Sequence, residues 1–93
     1  MYSIQLTNQA IKDASLIKNA GLKNKVASLI EVVATNPFQN PPFYEKLTGD
    51  RRGAYSRRIS RQHRFVYEVI PNTNNLKDEN DILYDGIVKI IRM

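Results

Sequence analysis

The sequence predicts a small α+β domain in which a two-helix hairpin packs on one face of a twisted antiparallel sheet, with elements in the order β-α-α-β-β-β. Three observations predict it. Residues 8–20 and 22–35 each carry apolar side chains at helical spacing. Residues 54–59 and 63–70 alternate about a short polar connection, as the arms of an antiparallel hairpin do. The first few residues and the last seven also read as strands. Ninety-three residues fit one domain, 1–93, that buries only about 60% of its unfolded surface. A core that small leaves no second lobe to close over a substrate, so an active site would lie on an open face and favour a macromolecular ligand.

Each element follows from local chemistry. Tyr2, Ile4 and Leu6 alternate with polar neighbours, which predicts a half-buried strand. Thr7 is placed to cap the helix after it, whose stripe is Ile11, Ala14, Ile17 and Ala20, and Gly21 supplies the left-handed stop. Leu22, Val26, Leu29, Ile30 and Val33 form the second stripe, ended by Asn36-Pro37. Residues 36–53 hold three of the four prolines and two of the four glycines and read as an ordered loop, which Phe38, Phe43, Tyr44 and Leu47 would pin to the domain. Residues 71–81 form a polar loop. Ile82-Leu83-Tyr84 is read as a short strand turned by Asp85-Gly86, before a last strand from Ile87 to Met93.

Charge is concentrated. Residues 46–64 hold Lys46, Arg51, Arg52, Arg57, Arg58, Arg61 and Arg64 against Asp50 alone, while the rest of the chain carries seven basic and eight acidic residues. Six of these seven cations are arginines, whose planar fork matches phosphate oxygens, so a phosphate backbone is the expected ligand. Alternation sorts them. His63, Phe65, Tyr67 and Val69 should face the helices, with Tyr55, Arg57 and Ile59 on the same side; Ser56, Arg58 and Arg64 fall on the open face. Tyr55 and His63 therefore read as core residues before stacking platforms or catalysts.

Several function classes are excluded or unsupported. Cysteine is absent, which removes disulfides, thiolate metal sites and thiol nucleophiles and suits a reducing cytoplasm. One histidine gives no basis for a protein-only zinc site, and no cofactor motif is present. No basic leader with an apolar stretch opens the chain, and no segment has the length of a membrane span. Metal-free RNA cleavage needs a base for the 2′-hydroxyl, cations for the phosphorane and an acid for the leaving oxygen. Glu45 can serve as the base and Arg58 and Arg64 as the cations; Lys46, Arg51, Arg52, Arg57 and Arg61 are candidate phosphate contacts. The acid is unfilled.

The segment YEKLTGDRRGAYSRRISRQHRFVYEV, residues 44–69, resembles the signature of the YoeB/Txe toxins of the RelE superfamily. The likeness rests on Asn36-Pro37-Phe38, Glu45 with Leu47, Gly53, Tyr55, Ser56-Arg57-Arg58-Ile59 and His63-Arg64-Phe65-Val66-Tyr67, with IVKIIR at 87–92 similar to the family's last strand. The resemblance implies a RelE-like fold and a ribosome-dependent mRNA endonuclease. Glu45 would be its general base, Arg64 its main phosphate and transition-state contact, and Arg58 a second cation. It implies a cognate antitoxin as partner alongside ribosome and mRNA, and operator DNA only through the antitoxin complex. The resemblance implies a family ending of an aromatic followed by His-Tyr, written Trp-x-His-Tyr, whose histidine supplies the acid; this chain stops at Met93, so attenuated activity is expected. The same fold also serves gyrase poisons, and a non-catalytic RNA- or antitoxin-binding module is the other alternative.

Overall fold

The computed structural model describes residues 1–93, the side chain of Arg51 excepted. The order is β1 (Tyr2–Leu6), α1 (Asn8–Asn19), α2 (Lys23–Thr35), β2 (Tyr44–Lys46), a 3-10 turn at Gly49–Arg51, β3 (Ala54–Arg58), β4 (Arg64–Ile70) and β5 (Gly86–Arg92). The strands form one sheet in the order β1-β5-β4-β3-β2. The predicted α+β architecture holds, with two differences in the sheet. Four strands run antiparallel in succession, but β1 lies parallel to β5, pairing Tyr2 with Gly86 through Leu6 with Ile90. A parallel neighbour needs a long crossover, and everything between the two strands, helices included, provides it. The second difference is β2, three residues of strand, Tyr44–Lys46, inside the proline-rich stretch read as an ordered loop.

Thr7 caps α1 as expected: its Oγ1 accepts the Ala10 N–H at 3.1 Å, and its hydroxyl donates to the Ile91 carbonyl at 2.8 Å, tying the helix start to β5. Gly21, at φ +73°, lets the chain reverse between the helices. Ile17, Val26, Leu29 and Val33 meet Phe65, Tyr67, Val88 and Ile90 in the core. The phase of α1 differs from expectation, since Ala10, Asp13 and Ile17 are buried and Ile11 is exposed. A buried aspartate can hold the centre of that stripe because it is satisfied. Its carboxylate accepts the Met93 N–H at 3.0 Å and the Gln9 amide at 2.9 Å, with Arg92 Nε 4.0 Å away. Burial alone would raise the Asp13 carboxyl, but these hydrogen bonds and the Arg92 charge together outweigh it and hold the group below its ordinary value.

Residues 82–84 do not form the expected strand. Only an isolated bridge joins Leu83 to Lys77, and Ile82 and Leu83 are exposed. Side chains capture this backbone instead: Asn72 Nδ2 donates to the carbonyls of Leu76 and Tyr84, and Asp78 Oδ1 accepts the N–H groups of Asn80 and Ile82. No helix among the described residues is long and apolar enough to cross a membrane.

Candidate functional site

Arg57 determines how the site is built. Alternation turns it inward, as the sequence predicts, and there it is 1% exposed. Its guanidinium donates to the carbonyls of Pro37 (3.0 Å), Gln39 (2.9 Å) and Pro42, and Nε to the Tyr67 hydroxyl (3.1 Å). Tyr67 in turn donates to Pro37 O at 2.7 Å, and the guanidinium lies 4.9 Å from the centre of the Tyr44 ring. Burial pushes the Tyr67 hydroxyl up despite the neighbouring Arg57 charge, so it remains a neutral donor. Arg57 is thus withdrawn from the phosphate-binding set: Nη1 and Nη2 are committed to the loop at 37–42 and Nε to Tyr67. The loop is held less by its own apolar bulk than by this buried cation. Phe43, expected to help pin it, is 70% exposed, while Phe38 and Tyr44 pack edge-on with Tyr55 at 5.3 and 5.9 Å.

Pinning the loop delivers β2 to the edge of β3. Glu45 falls opposite Ser56, and Arg58 opposite Arg64. The turn that opposes the arginines is closed by Ile59 and Ser60 N–H groups on the His63 carbonyl. Ser56 is on the predicted face but buried, a small side chain between the directly opposed Glu45 and Val66. Arg64 Nη1 is 3.4 Å from Glu45 Oε1, and both side chains are about half exposed (47% and 49%). Such a loose, solvated pair contributes about 0–1 kcal/mol, so an incoming anion can displace the carboxylate at little cost. Two arginines directly opposed across a strand pair repel one another, and an anion between them relieves that repulsion.

These groups line one open cleft of about 530 Å³, with Lys25, Pro42, Phe43, Glu45, Arg58, Ile59 and Arg64 around it. A second cleft of about 280 Å³ adjoins it through Arg64 and is lined by Gln62, His63, Val66, Arg92 and Met93. His63 therefore sits half-buried on the far side of Arg64 and not in the core. Lys46, Arg52 and Arg61 are exposed but line neither cleft, and the Arg51 side chain lies outside the described residues. Sequence reasoning missed Lys25 and Arg92, both lying away from the 46–64 cluster. Lys25 occupies the polar side of a helix, where nothing in the sequence indicates which loop it will meet. Chemically, the first cleft offers a carboxylate beside two guanidiniums and an ammonium, an arrangement suited to a phosphodiester.

No curated protein matches this chain in sequence. Its fold matches a YoeB/ParE toxin from Agrobacterium tumefaciens at 26% identity and TM-score 0.76, over 97% of this chain and 93% of that one. A YoeB–YefM complex from Staphylococcus aureus matches at 26% identity and TM-score 0.69, over 99% of this chain and 93% of that one. YafQ from E. coli shares the fold at 17% identity and TM-score 0.71, over 99% and 90%. Residues 6–81 match the family described as the YoeB-like toxin of the bacterial type II toxin-antitoxin system. With most of its length matched by that family and its fold shared with YoeB structures, this chain belongs to the YoeB-like toxins of bacterial type II toxin-antitoxin systems.

Proposed function

We propose that the cleft of Glu45, Arg58 and Arg64 is the catalytic surface of a cytoplasmic, ribosome-dependent mRNA endonuclease. The observation that carries this reading is the 3.4 Å approach of Glu45 to Arg64 on an open face, with Arg58 and Lys25 beside them. A phosphodiester entering the cleft takes over the Arg64 fork, which frees the carboxylate next to it. Glu45 then removes the proton of the 2′-hydroxyl, and the 2′-oxygen forms a bond to the adjacent phosphorus. Arg64 and Arg58 stabilise the extra negative charge of the phosphorane. The P–O5′ bond breaks, leaving a 2′,3′-cyclic phosphate and a 5′-oxygen that must take up a proton. Among the described residues lining the cleft there is no imidazole to give it. Residues 1–93 therefore cut slowly, by about 10²- to 10⁴-fold relative to a chain with a well-placed acid.

A cognate antitoxin is the protein partner this reading implies, supported by the S. aureus relative, whose structure is a YoeB–YefM complex. The test is primer extension on an mRNA held by programmed ribosomes. Weak cuts that strengthen when Trp-x-His-Tyr is appended, and that are absent from free mRNA, are expected. An intact message with both chains would overturn the reading, and inhibited supercoiling in their presence would replace it with a gyrase target.

A further inference from the structure

We propose that Phe43 is a base-stacking platform, giving the cleft a nucleobase subsite for single-stranded RNA next to its phosphate-binding cations. The proposal rests on the reading of the cleft as an RNA-cutting surface and adds to it where the base beside the bound phosphate goes. Phe43 is 70% exposed, more than any other large apolar side chain among the described residues. Leaving a phenyl ring in water forgoes about 1.5–3 kcal/mol of burial, so its place at the cleft is not explained by folding.

Nor does the ring sit on a loose loop. On one side the Pro42 carbonyl is held by Arg57; on the other, Tyr44 is in register with Arg57 and its ring lies 4.9 Å from the same guanidinium. Phe43 is thus presented from a backbone fixed at both neighbours, which lowers the entropy lost when a ligand stacks on it. It lines the same cleft as Glu45, Arg58 and Arg64 and stands two residues from Glu45, a chain distance of at most about 7 Å. A nucleotide spans that separation from its phosphate to its base. A flat apolar surface beside several cations selects a ligand with a charged backbone and exposed aromatic faces, which describes single-stranded nucleic acid. Base–aromatic stacking is worth about 1–3 kcal/mol per base by alanine substitution, or about 5- to 150-fold in affinity.

The experiment uses the Glu45→Gln chain, chosen so that residual cleavage does not deplete the ligand, and measures binding of a short single-stranded RNA by fluorescence anisotropy at low salt. Phe43→Ala in that background should weaken binding about 5- to 150-fold without lowering the melting temperature, and Phe43→Trp should restore it. The chain contains no tryptophan, so Phe43→Trp also installs a single fluorophore, whose emission should be quenched as RNA binds. Unchanged affinity in Phe43→Ala, with binding lost in Arg64→Ala, would overturn the stacking role and leave the cleft as the RNA site. Unchanged affinity in both variants would overturn the cleft reading itself. Unquenched emission from Phe43→Trp at saturating RNA would also count against stacking.

Discussion

Arg57→Ala is expected to destabilise the domain by about 3 kcal/mol or more, far beyond the effect of removing any neighbouring surface arginine. The substitution takes away the guanidinium donors to the Gln39 and Pro42 carbonyls and one of two donors to Pro37, which keeps the Tyr67 hydroxyl, and leaves Tyr67 without one of its partners. Each buried acceptor that loses its only donor costs about 1–3 kcal/mol, and the space left by the side chain adds a cavity term. Water entering the gap would recover part of this, which sets the lower bound. In a domain of this size, stable by about 5–15 kcal/mol, that loss lowers the melting temperature by about 12 °C or more. Arg57→Lys is a partial remedy at best, because one ammonium cannot reproduce a fork that reaches carbonyls at three loop positions. Arg52→Ala and Arg61→Ala, exposed and outside both clefts, should change stability by less than about 0.5 kcal/mol. Denaturant unfolding of the three alanine variants checks this; an Arg57→Ala midpoint equal to that of Arg61→Ala would refute the structural role given to Arg57.

The second large effect is on rate. With Trp-x-His-Tyr appended to supply an acid, Glu45→Gln should lower kcat on ribosome-bound mRNA by about 10²- to 10⁴-fold while KM stays within a few-fold. An amide has nearly the same shape as the carboxylate but does not accept the 2′-hydroxyl proton. Binding survives because the Glu45–Arg64 pair is half-exposed and loose, so losing it removes a competitor for Arg64 and not an RNA contact. A proportional rise in KM with kcat unchanged would assign Glu45 to binding and leave the base unidentified.

Much of the site was legible because strand alternation carries it. Once 54–59 and 63–70 are read as a hairpin with a tight connection, Arg58 and Arg64 must share a face, and the register opposes them directly. Alternation also turned Arg57 inward, but not to its destination: a cation bound for a cage of carbonyls looks in sequence like one bound for solvent. Glu45 could be named from the sequence as a carboxylate beside the basic stretch, but its place on a strand could not, since β2 is three residues long and lies among breakers that favour a loop assignment. The parallel pairing of β1 with β5 was illegible for a different reason, as periodicity identifies a strand without naming its neighbour. Asp13 and Phe43 invert the expected burial of their residue types. The sequence shows neither the Met93 N–H that Asp13 accepts nor the Arg57 contact to the Pro42 carbonyl that fixes the backbone beside Phe43.

Whether this cleft cuts RNA through the 2′-hydroxyl is tested most directly by placing a single 2′-deoxyribose at a mapped cut position in a ribosome-bound message. If Glu45 deprotonates that hydroxyl, cleavage there disappears while toxin still binds the ribosome, and the all-ribose control ends in a 2′,3′-cyclic phosphate with a 5′-hydroxyl on the downstream fragment. Cleavage that persists at the deoxyribose, or a control whose upstream fragment ends in a 3′-hydroxyl, would contradict it.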